Sequence, residues 1–180
     1  MNTSFVKYYF LLSVCLLFSL TTSVFAVDGY KVLKFGMTKQ EVIATGFCNF
    51  GSSSIISPGI EMVNCIDFKF SGKILVASIF FAENKFLRLG IVLPVDMLES
   101  LVAGLSKKYG APCDRSPQEA FNAVDRFPNR DAYLAYDSNT VFLRIRSNQN
   151  GNQSVFLIYS SSLYDTFLVK KQQETLSGDL

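Results

Sequence analysis

Lys73-Ile74-Leu75-Val76-Ala77-Ser78-Ile79-Phe80-Phe81-Ala82-Glu83-Asn84-Lys85-Phe86-Leu87-Arg88-Leu89-Gly90-Ile91-Val92-Leu93 is the stretch that decides the architecture. From Ile74 to Phe81 nearly every residue is apolar, which suits a central strand buried on both faces or lying at a partner surface. Ala82-Glu83-Asn84 turns the chain. Lys85 to Leu93 then places Leu87, Leu89, Ile91 and Leu93 on one face. Two strands joined by so short a link are antiparallel neighbours.

The same pattern extends in both directions. Upstream, Asn64 to Phe70 alternates, with Ile66, Phe68 and Phe70 opposed to Asp67 and Lys69, and Ser71-Gly72-Lys73 makes the turn into Ile74. Before it, Met37-Thr38-Lys39-Gln40-Glu41-Val42 carries the start signals of a helix. Thr38 and Glu41 stand at the two positions of a capping box, and Met37 and Val42 at those of a hydrophobic staple. Gly46 sits where a left-handed C-terminal cap belongs, so a helix is expected over about Lys39 to Thr45.

Downstream of Leu93, Pro94 suits a first helical turn. Leu98, Leu101, Val102, Leu105 and Tyr109 recur at helical spacing, and Gly110 and Pro112 end the run. Cys113 to Arg130 is polar and irregular, with room for a turn of helix at Pro117 to Val124. Asp131 to Asp137 and Val141 to Ser147 read as a hairpin around Ser138-Asn139-Thr140, and Val155 to Tyr159 as another strand. Tyr164 to Gln172 fits either a last strand or the start of a terminal helix. The order helix, three strands, helix, three strands predicts an α+β domain: an antiparallel sheet with helices packed on one face.

The N-terminus reads as an export signal. Lys7 is the only charge before Asp28, and Tyr8 to Leu20 is almost wholly apolar. Val24-Phe25-Ala26 offers compact residues at the sites read by signal peptidase, so cleavage is expected after Ala26. The uncharged stretch is long enough to serve instead as an anchor, but its apolar core is about a dozen residues, the length of a signal segment. The run continues past Cys15 through Leu16-Leu17-Phe18, unlike a lipid-attachment site. The expected organisation is a signal peptide at 1–26, one domain at 27–172 and a polar tail at 173–180, with no integral membrane segment after processing. The expected location is the periplasm, or the exterior after secretion.

The 17 basic and 15 acidic residues nearly balance once Lys7 is set aside, which gives no reason to expect nucleic acid as a partner. The chain has no histidine, so the commonest general base and metal ligand is missing. Metal-ligand spacing is absent too, and no cofactor is expected. Serines lack a histidine to activate them, and Gly-x-Ser-x-Gly does not occur. Cys48 and Cys65 flank a polar loop, Gly51-Ser52-Ser53-Ser54, and are expected to bridge in an oxidising compartment. Cys113 is then odd, either an inert thiol or a site of intermolecular pairing. Asn152-Gln153-Ser154 matches a glycosylation sequon, of consequence only in a eukaryotic secretory route.

Lys34-Phe35-Gly36-Met37-Thr38-Lys39-Gln40-Glu41-Val42, followed by Gly46, Cys48 and Cys65, resembles the repeat unit of the β-lactamase inhibitor protein. It is also similar to the small outer-membrane assembly lipoproteins of the SmpA/OmlA type. The resemblance covers about the first third of the mature chain. It implies a helix packed on an antiparallel sheet, a Cys48–Cys65 disulfide, and an envelope protein that binds other proteins. A second Gly-Met-Thr unit and a lipobox are both absent from the sequence.

Period two also assigns the sheet faces. With Leu87, Leu89, Ile91, Val141, Leu143 and Ile145 turned to the helices, Phe86 and Arg88 share the other face with Phe142, Arg144 and Arg146, joined by Asp67 and Lys69. Aromatics beside arginines are the types enriched at protein interfaces, although arginine stems over aromatic rings also make an ordinary solvated face. The leading expectation is a non-enzymatic protein-binding module of the inhibitor or immunity kind, its protein partner lying in the envelope or outside the cell. The second is a binding protein for a small apolar ligand or lipid between sheet and helices, or an envelope-assembly protein. The third is a carboxylate-dependent hydrolase of cell wall or glycans.

Overall fold

A computed structural model describes residues 26–179. The expected signal segment, with Cys15, lies outside the described residues except for Ala26. A two-stranded ribbon, β1 (Gly29–Tyr30) and β2 (Leu33–Lys34), opens the domain and leads into α1 (Lys39–Ala44). Then come β3 (Phe50–Ser57), β4 (Ile60–Phe70), β5 (Lys73–Ala82) and β6 (Lys85–Leu93). A 3-10 turn, Val95–Met97, precedes α2 (Leu98–Tyr109). The second half holds β7 (Asp114–Arg115), α3 (Gln118–Arg126), β8 (Asp131–Tyr136), β9 (Val141–Ser147), β10 (Gln153–Ser160) and α4 (Ser162–Asp179).

Strands β3 to β10 form one eight-stranded antiparallel sheet in the order β3-β4-β5-β6-β10-β9-β8-β7. It consists of two meanders placed side by side, sealed where β6 pairs with β10. The fold is α+β, with four helices among the described residues. Glu83 and Asn84 both take positive φ (47° and 64°) between β5 and β6, the geometry of the two-residue hairpin whose twist matches its strands.

One face of the sheet carries the main core. Ile79, Phe81, Phe86, Leu89, Ile91, Leu143 and Leu157 are buried there against the ribbon (Tyr30, Leu33), α1 (Val42) and α2 (Leu101, Leu105). The ribbon lies so close on itself that a Cβ at Gly29 would stand 1.9 Å from the Leu33 carbonyl oxygen. Only glycine fits there. The α1 start matches its sequence signals. The Glu41 amide donates to the Thr38 hydroxyl at 3.2 Å, and the Thr38 amide donates to the Glu41 carboxylate at 2.7 Å. Gly46 follows at φ 62°.

Hydrogen bonds from the Thr38 amide and, second, from the Thr38 hydroxyl, which alanine would remove, hold the Glu41 carboxyl below the usual glutamate range. A carboxyl depressed in the folded state adds stability above its unfolded-state pKa and loses it as the pH falls through its folded-state pKa. Thr38→Ala is therefore expected to cost about 1 kcal/mol at neutral pH. In urea unfolding, the gap to wild type should narrow once the pH falls below the ordinary glutamate value.

The structure goes beyond the sequence pattern in several places. Gly51-Ser52-Ser53-Ser54, expected as a loop, belongs to edge strand β3. Its serines face water, so no alternation of apolar residues marks it. The ambiguous stretch from Tyr164 is helical, and the helix runs on through the expected polar tail to Asp179. This α4 lies across the reverse face of the sheet, where Tyr164, Phe167 and Leu168 cover Ile60, Phe80, Ala82 and Leu87. From Gln172 to Gly178 its residues are exposed. The remaining reverse face is uncovered by other elements among the described residues.

Candidate functional site

Strand registers place the reverse-face side chains in rows. One row runs Val92, Phe156, Arg144, Tyr133 across β6, β10, β9 and β8. The next runs Asn64, Ser78, Gly90, Ile158, Phe142, Ala135 from β4 to β8. A third runs Met62, Phe80, Arg88, Ser160. Arg88, Phe142 and Arg144, expected together from period two, thus do lie together. With Asp131, Tyr133, Ile158 and Asp165 they line a hollow of about 310 Å³.

Phe86 is not among them. It is fully buried in the main core, packed on Phe35 and Phe81 with ring centroids 5.3 and 6.4 Å away. A β-bulge is the reason. Phe81 pairs with Phe86 but Phe80 pairs with Arg88, so Leu87 is the extra residue. An inserted residue inverts the facing of everything before it. Leu87, expected in the main core, accordingly packs with Ile60, Ala82 and Tyr164 under α4. The competing force is a pairing some fifty residues distant: the Phe86 amide donates to the Met37 carbonyl at 2.7 Å, and the Gly36 amide to the Phe86 carbonyl at 2.8 Å. Arg146 also stands apart. It lines a neighbouring polar concavity with Asn129, Ser147, Asn148 and Asn150, with Asp131 on the boundary. Asp67 is tied to Asn49, whose backbone and side-chain amides donate to it at 2.7 and 2.8 Å.

The two arginines of the hollow differ in freedom. Arg88 donates to the Ser160 hydroxyl at 3.0 Å and to the Asp165 carboxylate at 2.9 Å, and its guanidinium lies 3.7 Å from the Tyr164 ring centre. Stacked and doubly bonded, it pins the start of α4 to the sheet. Arg144 donates through Nε and Nη2 to one oxygen of Asp131, with both side chains about 40% exposed. A pair that exposed is easily exchanged for a partner's carboxylate. Tyr133 stacks edge-on to Phe142 at 6.3 Å and donates its hydroxyl to Asp114 at 2.9 Å. That carboxylate raises the phenol's pKa above its ordinary value.

Asp131 and Tyr133 were legible in principle, because the same alternation within Asp131 to Asp137 places them beside Arg144. Asp165 was not, since its helix had no clear signal. On the β6 side the face continues into exposed aliphatic residues: Ile74 is 67% exposed, Val76 57% and Val92 37%. Cys113, the odd thiol, is exposed, with its sulfur 3.5 Å from the Ala135 carbonyl and the Asn139 amide oxygen. Cys48 and Cys65 are bonded, with Cα atoms 5.7 Å apart.

Among the described residues, no helix is long and apolar enough to cross a membrane. The chain is 26% identical over 172 residues to an uncharacterized protein of Haemophilus influenzae (strain ATCC 51907 / DSM 11121 / KW20 / Rd), an alignment covering 94% of this chain and 96% of that one. No solved structure matches it. A family model described as "Uncharacterised protein" matches residues 30–179, and the chain belongs to that family.

Proposed function

We propose that this chain is an exported, non-enzymatic protein-binding module that acts by steric occlusion of a protein partner. The observation that carries the reading is the uncovered reverse face of the sheet. It combines exposed Ile74, Val76 and Val92 with an arginine-edged aromatic hollow at Phe142 and Arg144. Large exposed apolar patches rimmed by polar groups mark interaction sites. Arginine and aromatic anchors at its centre are the usual carriers of binding energy. The Cys48–Cys65 disulfide and the signal-like N-terminus support a location outside the cytoplasm, the periplasm first. The inhibitor-like opening at residues 34–42 supports the same class of function. A helix preceding an antiparallel meander occurs in each half of the chain, in keeping with that resemblance.

Phe142 and Arg144 are the expected anchors. Arg88 holds α4, and Arg146 adds charge at the rim. The test is affinity capture of residues 27–180 from the native host, run beside the double variant Phe142→Ala/Arg144→Ala. One stoichiometric protein that survives salt washing should be captured by wild type and lost from the variant, with affinity falling on the order of 100-fold. Thermal melting checks that the variant stays folded. Equal capture by both proteins removes this face as the binding surface.

A further inference from the structure

The main-core side of the domain holds a second concavity, independent of the face just described. It is a groove of about 600 Å³ between the β1–β2 ribbon, α2 and the sheet, within the size range of small-molecule sites. Its walls are mostly apolar: Phe70, Leu101, Leu105 and Leu157, with the rings of Tyr30, Tyr109 and Tyr159. The Tyr109 and Tyr159 hydroxyls lie against each other in its inner wall. Burial pushes the Tyr159 phenol far above its ordinary pKa, so it stays neutral.

The mouth carries cations. Lys31 stands 5.3 Å from the Tyr30 ring centre and Lys108 stands 4.8 Å from that of Tyr109. Among the described residues neither has a carboxylate partner, whereas Lys34, also at the mouth, is paired with Asp28. Gly104 is the further sign. It lies in the middle of α2 and lines the groove, and a Cβ there would meet nothing within 4 Å. Glycine inside a helix is less stable than alanine. No protein neighbour requires it here, and its effect is to keep the groove open.

We infer that this groove binds a single-chain amphiphile with an anionic head. The acyl chain lies along Leu101, Leu105, Leu157 and Phe70. The head sits at the mouth between Lys31 and Lys108. The head chemistry is shared by a fatty acid and by a lysophospholipid.

The test uses the chain from Val27 onward and isothermal titration with decanoate, decyl phosphate and 1-decanol. Decanoate or decyl phosphate is expected to bind about tenfold or more tighter than decanol. A preference for the carboxylate assigns a fatty acid, and one for the phosphate a lysophospholipid. Lys31→Ala/Lys108→Ala should weaken the anions roughly five- to tenfold and leave decanol unchanged. Gly104→Leu should abolish binding of all three probes while the thermal midpoint holds or rises by about 2–4 °C. Equal binding of decanol and the anions overturns the anionic head. Undiminished binding by a folded Gly104→Leu protein overturns the location, and no binding of any probe overturns the site. Failure here leaves the reverse-face reading untouched, because Phe142 and Arg144 do not line this groove.

Discussion

Phe86→Ala is expected to lower the unfolding free energy by about 3–5 kcal/mol, while Phe142→Ala lowers it by about 1 kcal/mol or less. The two residues look equivalent in sequence, since each precedes a residue of the opposite facing in a strand of alternating pattern. They differ in where the bulge sits. Phe86 is fully buried, and its ring packs on Phe35 and Phe81. Truncation removes a whole ring from the centre of the core and leaves a cavity that Phe35 and Phe81 cannot close without leaving their own neighbours. Phe142 is only partly buried on the reverse face, beside Tyr133, and truncation there exposes surface rather than opening a void. Urea midpoints of the two variants measure the difference directly. Similar costs would put both rings on one face and restore the unbroken alternation of Lys85 to Leu93.

That contrast marks the boundary of what the sequence makes legible. Local chemistry was readable: the Thr38–Glu41 box, the antiparallel hairpins and the apolar stripe of α2 all depend on residues within a few positions of one another. The antiparallel sheet follows from short links for the same reason. Most of the reverse-face cluster was readable too, because Arg88, Phe142 and Arg144 hold their faces by simple alternation. What escaped depends on distant partners. The Phe86–Leu87 bulge is fixed by the backbone of Gly36 and Met37, and no pattern inside β6 announces it. Strand β3 lacks an apolar face because it is an edge strand whose side chains meet water. Helix α4 has apolar residues distributed around its circumference, and only Tyr164, Phe167 and Leu168 near its start are anchored. A pocket between sheet and helices was among the expectations, but its place beside Gly104 was hidden, because an empty space has no residue of its own.

The second large effect concerns the disulfide. Cys48→Ala/Cys65→Ala is expected to cost about 3 kcal/mol, because the bridge closes a loop with a sequence separation of 17 in the unfolded chain. Loss of packing adds to this, since Cys65 is fully buried in the main core. The loss should not be spread evenly. Cys48 lies just before β3, and Phe50 at the start of that strand pairs with Cys65 itself. The bridge therefore clamps the beginning of an edge strand that has little burial to hold it: residues Ser52 to Ile56 are exposed, Ile55 at 71%. Hydrogen exchange of the β3 amides should rise first on reduction, with the β6–β10 seam protected until global unfolding. Reductant should shift the urea midpoint of wild type most of the way to that of the double variant, which also loses the packing of Cys65, and leave the variant unmoved. Cys113→Ser should change little, because that thiol is exposed and unbridged. No response of wild type to reductant would mean that the bridge does not form in the native protein. If it does form, the reduced domain presents a loosened edge bearing Ile55 and Ile56, an invitation to strand pairing between copies. A fold whose edge is secured in this way is suited to an oxidising compartment.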